Sequence, residues 1–306
     1  MAQAGRGRVA GRTAGAVAVV AALATLTACG GGTKSAAGSG QSSTATPAPI
    51  GASAMDVLMK VADRMDRAHS VKVVGTIGQG AGSPGISSTG AFDWSDGMTG
   101  EVDLVPGSPL AKLGMLGYRY TPDAMYTHYG SEFARHTGGR HWLKFDYATL
   151  AKVSAQGAMV RQLLQNNNPV QSVKLLIAGG DVKKVGTESL YGVTATHYAG
   201  VVDADKLVGQ QARGLDPKQL KLFKDNLAEA GVTSETIDLW VDSHDLPVKK
   251  REELDSAGGR MVSTVDYSDY GVAVDAQAPP ASDTVDSSEL PENPGDTGAP
   301  GASRLA

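Results

Sequence analysis

The side chains through which this sequence could do chemistry are few. They are one cysteine, Cys29, and six histidines, His69, His128, His136, His141, His197 and His244. Cys29 directly follows Leu26-Thr27-Ala28 at the end of an apolar run. A thiolate is a better nucleophile than a hydroxyl at neutral pH, so a cysteine set behind small residues is a position for covalent modification. With a single cysteine no intramolecular disulfide is possible. The spacings of common catalytic motifs are missing: G-x-S-x-G, H-E-x-x-H, C-x-x-C and the Walker loop do not occur. No catalytic residue is assigned, and a non-enzymatic protein is expected. His128, His136 and His141 lie close together and imidazole suits zinc, but no regular ligand pair or acidic cluster accompanies them, so no metal is expected. Gly80-Ala81-Gly82-Ser83-Pro84-Gly85 matches G-x-G-x-x-G, yet a strand-like run follows where a helix would be needed. Those glycines read as hairpin punctuation, and no cofactor is expected. Asp266-Tyr267-Ser268-Asp269-Tyr270-Gly271 lacks the ligand density of a calcium loop. Lys249-Lys250-Arg251 runs into Glu252-Glu253, which cancels most of its field.

The segment around Cys29 explains its place. Arg6, Arg8 and Arg12, without an acidic partner, precede an apolar, small-residue core from Ala14 to Thr25. That is a secretory signal over residues 1–28, too short to span a bilayer as a mature helix. Leu26-Thr27-Ala28-Cys29 resembles the lipobox of bacterial lipoproteins, where the thiol is diacylated with chains of the palmitate kind and becomes the new N-terminus. The resemblance implies lipidation at Cys29 and anchoring on the outer face of the cell membrane. Removing residues 1–28 takes three arginines and leaves 25 basic against 32 acidic residues, a net charge of −7. That balance argues against nucleic acid and against a basic membrane-binding patch. Attachment then rests on acyl chains, each CH₂ worth about 0.8 kcal/mol when buried, with two or three chains needed for a stable hold.

Residues 29–52 are Gly, Ser, Thr, Ala and Pro with one charge, Lys34, and read as a flexible tether with a span of about 25 Å. Ser53 can cap a helix to Ala68 carrying Met55, Leu58, Met59, Ala62 and Met65 at helical spacing. Strand-like runs follow from Ser70 to Gly78, Ile86 to Trp94, Met98 to Val105, Leu113 to Tyr120, Ala124 to Tyr129 and His141 to Phe145, with turn residues between them. The spacing predicts a helix over Tyr147 to Gln165. A second is predicted with Asn168 as its cap and Pro169 as its first residue, stopping at Gly179-Gly180. Strands resume at Val182 to Ser189 and Val193 to Val202. Asp216-Pro217 opens a helix ended by Gly231, and three strands follow, Thr236 to Val241, Leu246 to Leu254 and Arg260 to Tyr267. The middle one is charged on both faces and reads as solvated or at a sheet edge. A folded domain over 53–282 and a disordered tail over 283–306 complete the organisation.

This order suggests one antiparallel sheet with helices gathered on one face, α+β rather than βαβ. Three stretches resemble the LppX/LprG-type bacterial lipoproteins and, more distantly, the LolA-like lipoprotein carriers. They are the opening helix with Ser70-Val71-Lys72-Val73-Val74-Gly75, the pair within Leu190-Tyr191-Gly192-Val193-Thr194-Ala195-Thr196-His197-Tyr198, and Ile237-Asp238-Leu239-Trp240-Val241-Asp242 with Leu246-Pro247. The resemblance covers Ala54 to Asp275 and implies a strongly curved half-barrel sheet with helices on its concave face. It also implies a monomer that binds or carries a lipid or other hydrophobic ligand between sheet and helices. Candidate lining residues are Val73, Ile77, Phe92, Trp94, Leu104, Trp142, Phe145, Leu163, Leu176, Val193, Phe223, Leu239 and Trp240, with the inward face uncertain by one residue. The alternative is the same fold with a filled core, a regulatory or interaction lipoprotein acting through its surface or tether.

Overall fold

The computed structural model describes residues 53–80, 85–149 and 168–290. The signal segment, Cys29, the tether, Gly82, Leu163, most of the helix expected over 147–165 and the tail beyond residue 290 lie outside the described residues.

The opening helix forms where its cap dictates. In α1 (Ala54–Ala68) the Ser53 hydroxyl accepts from the Asp56 N–H at 3.2 Å while the Asp56 carboxylate accepts from the Ser53 N–H at 3.1 Å. Its buried face is Leu58, Val61, Ala62 and Met65; Met59, expected there, is half exposed. His69 leaves the helix in the left-handed conformation, φ 62°, so β1 starts at once.

The strands are β1 (Ser70–Gln79), β2 (Ile86–Asp93), β3 (Thr99–Leu104), β4 (Met115–Tyr120), β5 (Ala124–Tyr129) and β6 (Trp142–Asp146). Short helices α2 (Pro109–Lys112) and α3 (Ser131–His136) fill connections that the sequence shows only as loops. Then come α4 (Val170–Gly179), β7 (Val182–Leu190), β8 (Val193–Asp203), α5 (Ala204–Gln211), α6 (Pro217–Glu229), β9 (Ser234–Val241), β10 (Pro247–Ser256) and β11 (Gly259–Ser268). The expected cap of α4 is displaced by one residue: Pro169 takes the cap position and the Asn168 side-chain oxygen accepts from the Val170 N–H at 3.0 Å. Asp216 caps α6 as expected, with Gln219 closing the box. Tyr191 and Gly192, φ 54° and 81°, make the tight β7–β8 turn.

With β12 (Thr284–Asp286), the described strands form one open sheet in the order β12-β6-β5-β4-β3-β2-β1-β11-β10-β9-β8-β7, antiparallel except for the pairing of β12 with β6. The pairing of β1 with β11 joins residues 72–79 to residues 261–268. This is the α+β half-barrel expected, with α1 and α4 on one face.

Two expectations are corrected. β10 is neither solvated nor an edge: it lies between β9 and β11, and its charges are matched on both faces. The chain after residue 282 is not all tail either. Thr284–Asp286 forms β12, parallel to β6, and Val285 is buried. A valine flanked by carboxylates resembles solvated chain in composition, and only the empty edge of β6 makes it a strand.

Candidate ligand-binding face

Cross-strand registers, continuous apart from shifts between Pro247 and Lys249, Met115 and Gly117, and Lys184 and Gly186, assign side chains to faces. One row passes through Tyr198, Leu239, Lys250, Val265, Gly75, Ser88 and Leu104. A second passes through Val71, Phe92, Gly100, Tyr120, Met125 and Phe145, and a third through Val73, Gly90, Val102, Tyr118, Thr127 and Leu143. All three lie on the face that meets α1 and α4.

That face has two characters. Over β8 and β9 it is filled: Leu58, Val61 and Met65 of α1 and Val170, Val173 and Leu176 of α4 pack with Leu207, Ile237, Leu239 and Val202. Leu176 and Leu239, expected to line a hollow, are solid core at 1 % exposure each. Over β2 to β6 the described helices contribute only the short α2 and α3 at the ends of β4 and β5. There Phe92, Val102, Tyr118, Tyr120, Met125 and Phe145 are half-buried. The Phe92 ring lies over Gly100, where an added Cβ would sit 2.4 Å from its Cδ1, and meets Tyr120 at a centroid distance of 6.0 Å. Burial, reinforced by neighbouring Tyr118, pushes the phenols of Tyr120 and Tyr129 up to about 12, so both stay neutral hydrogen-bonding groups.

A polar diagonal crosses β9, β10 and β11 on this face: Glu235, Glu252, Lys250 and Tyr267. The Lys250 ammonium lies 2.9 Å from Glu252 and donates to the Ser172 hydroxyl of α4 at 2.9 Å, while that hydroxyl donates to Glu252 at 2.6 Å. Burial disfavours the Lys250 charge, but Glu252, Tyr267 and Glu235 outweigh it and raise its pKa. Glu235 is pushed up to about 7, first by burial and then by the Glu252 carboxylate, against the pull of Lys250.

The candidate lining residues divide. Val73, Phe92, Leu104 and Phe145 share the helix-side face, and Trp94 packs between its two clusters. Trp142 and Trp240 are corrected: both point to the opposite face. Trp142 stacks on His128 at 4.3 Å beneath Arg119, and Trp240 stacks on His197 at 4.2 Å and donates to Glu188 at 3.1 Å. The reason is the one-residue parity of strands. Ile77 and Val193 are exposed. Phe223 is buried on α6, outside the clusters of this face. Sequence reading missed Tyr118, Tyr120 and Met125, although their strict alternation with Arg119 and Ala124 was a usable signal.

The histidines do not converge. His136 faces Glu132 at 3.4 Å, His141 meets Asp283 at 2.8 Å, and His197 meets Asp238 at 2.7 Å. Among the described residues no group of three or more His, Cys, Asp or Glu is placed to hold a metal ion. The two concavities described lie elsewhere. One is on the outer side of α1 at Asp56, Met59, Lys60 and Asp63. The other, about 540 Å³, lies between the β4–β5 turn, the end of β6 and Ala278. No described helix is long and apolar enough to cross a membrane.

No family model matches the sequence. Two curated proteins are similar over most of their length. An uncharacterized 31.2 kDa protein of Streptomyces griseus, from the rplA-rplJ intergenic region, is 42 % identical over 260 residues, 82 % of this chain and 84 % of that one. "Putative lipoprotein SCO4650" of Streptomyces coelicolor is 36 % identical over 305 residues, 93 % of this chain and 97 % of that one. Among solved structures the fold is similar to LprF from Mycobacterium bovis, at 16 % identity and TM-score 0.43, covering 74 % of this chain and 96 % of that one. LppX from Mycobacterium tuberculosis, one of the proteins for which the resembled group is named, matches at 13 % identity and TM-score 0.44, covering 74 % and 100 %.

Proposed function

Because this chain belongs to the family of these Streptomyces proteins, one of them named as a lipoprotein, we propose that it is a lipid-anchored extracytoplasmic lipoprotein that binds a hydrophobic ligand without catalysing a reaction. Cys29 carries the acyl chains, and the tether sets the domain off the outer face of the membrane. One observation carries the ligand-binding reading: among the described residues, half of the helix-side face is sealed by α1 and α4, while the other half presents half-buried Phe92, Val102, Tyr120, Met125 and Phe145. An apolar sheet face is stable only when covered, and a flexible alkyl chain covers it through desolvation and dispersion. The neutral phenols of Tyr118 and Tyr120 on the same face suit a polar group at the chain's end.

The test is uptake of a pyrene-labelled fatty acid by the mature chain carrying Cys29→Ser. Saturable uptake that Val102→Asp abolishes while circular dichroism stays unchanged supports the reading. A folded chain that takes up none removes it and leaves the interaction lipoprotein, acting through its surface.

A further inference from the structure

β6 is where the sheet would otherwise end, and a bare edge strand is a template for another chain. It is occupied by the chain's own C-terminal segment. Thr284, Val285 and Asp286 pair in parallel with Trp142, Leu143 and Lys144. Val285, on the face of Leu143, is 1 % exposed and anchors the segment. The rest of the hold is electrostatic and matched residue for residue. Asp283 lies 2.8 Å from His141, Asp286 3.7 Å from Lys144 and Glu289 3.1 Å from Arg140. Asp283 also accepts from the His141 backbone N–H at 2.9 Å. All three carboxyls are held below their ordinary range: Asp283 first by its bond from His141, Asp286 by Ser288, and Glu289 by the Asp286 backbone N–H and Arg140. Exposed ion pairs of this kind are weak singly and screened by salt, and only three residues pair on the edge. Such a strand is exchangeable.

We propose that residues 281–290 are an intramolecular occupant of a peptide-binding edge on β6, and that this edge takes up in trans an extended acidic peptide of the same pattern. The pattern is set by the acceptor. Arg140, His141 and Lys144 require carboxylates at three-residue spacing, and the socket beside Leu143 requires a β-branched residue just before the middle one. Main-chain pairing supplies affinity and these side chains supply selectivity, as in strand addition generally. Val285 reaches the helix-side face beside Leu143, the last residue of its third row, but the edge pairing needs no ligand there, so the proposal stands if that reading fails.

The experiment uses the mature chain with Cys29→Ser and a fluorescent peptide of residues 280–290. Asp283→Lys, Asp286→Lys and Glu289→Lys together detach the internal strand. Anisotropy is expected to show the detached chain binding the peptide at least about tenfold more tightly than wild type, because in wild type the edge is mostly taken. Half-molar salt is expected to weaken binding, and a peptide with Val285→Asp to fail. Val285→Ala in the full chain, which removes the anchor without adding charge, is expected to act in the same direction. It serves if the triple variant does not fold. Hydrogen exchange at β6 should rise in either variant and fall again on adding peptide. Equal binding by wild type and variants, or no binding by a folded variant, overturns the proposal. So does a wild-type dimer that excess peptide cannot dissociate, since the edge would then belong to a second copy.

Discussion

Lys250 and Glu252 stand side by side under α4, 2.9 Å apart, on a strand whose sequence looks made for solvent. Their partner Ser172 lies 80 residues from Glu252 along the chain and closes the cluster with two short hydrogen bonds. On the opposite face the other charges of β10 join a ladder. Glu188 meets His197, which meets Asp238; Arg251 bridges Asp238 and Glu253, and Arg260 bridges Glu253 and Asp255. A central strand can thus carry charge on both sides because its charges meet counter-charges, along β10 itself in Lys250–Glu252 and Arg251–Glu253 and across strands in Arg251–Asp238, Arg260–Glu253 and Arg260–Asp255.

Removing one member of the inner pair should be expensive. Lys250→Met leaves the Glu252 carboxylate buried without its counter-ion, a loss of about 3–5 kcal/mol, whereas Lys250→Met with Glu252→Met should recover much of it. Urea denaturation of both single variants and the double checks this, and a double variant destabilised by the sum of the two singles would show that the pair is not coupled.

Glu235 sets a pH dependence. Its carboxyl is raised from 4.5 to about 7 in the folded chain, so the folded state binds the extra proton between those values. Stability is therefore fully present below the unfolded pKa and falls as pH rises towards 7, by on the order of 2–3 kcal/mol. Glu235→Gln should flatten that slope in chemical denaturation between pH 5 and pH 8, limits chosen to bracket the raised value, about 5 and about 8.

The C-terminal strand has the opposite sign. Asp283, Asp286 and Glu289 are depressed, so their contribution is present above the ordinary carboxylate range and lost as pH falls through their folded values. Hydrogen-exchange protection at β6, taken relative to the intrinsic rate at each pH, should fall in acid before that of the core over β8 and β9. Simultaneous loss of both would contradict this.

Gly100 is required by Phe92. Gly100→Ala sets a Cβ 2.4 Å from the ring and 2.8 Å from the Ala91 carbonyl oxygen, an overpacking of about 1–3 kcal/mol that a swing of Phe92 relieves only in part. Thermal unfolding and the ring resonances of Phe92 and Tyr120 report the cost and the swing. An unshifted pair with unchanged midpoint would refute the contact.

Leu176→Ala opens a cavity in the sealed half and should lose about 2–5 kcal/mol while leaving fatty-acid uptake intact. Val102→Asp, on the half-buried side, should do the reverse. If Leu176→Ala altered uptake at unchanged stability, the ligand would lie under α4.

Much of the fold was legible because it is written locally. Ser53 with Asp56, Asp216-Pro217 with Gln219, and Tyr191-Gly192 each specify a cap or turn within four residues. The short α5 was not legible: its cap Asp203 is also the last residue of β8, so the strand pattern hides the helix start. Of the candidate lining, Val73, Phe92, Leu104 and Phe145 fell on the helix side, while Trp142 and Trp240 fell on the other. Leu239-Trp240-Val241 is apolar throughout, and Trp142 stands between His141 and Leu143, so the strand viewed alone does not choose which neighbour faces inward.

The sequence by itself determined where strands begin, turn and give way to helices, and it carried the Leu-Thr-Ala-Cys segment that implies an anchor. Tertiary structure decided which face each side chain meets, that β10 is central, that Glu235 is buried beside Glu252, and that residues 284–286 pair with β6. The physical reason is range. Caps and turns act over a few residues, whereas register and charge pairing are set by partners up to 197 positions apart, as Lys72 is from Asp269.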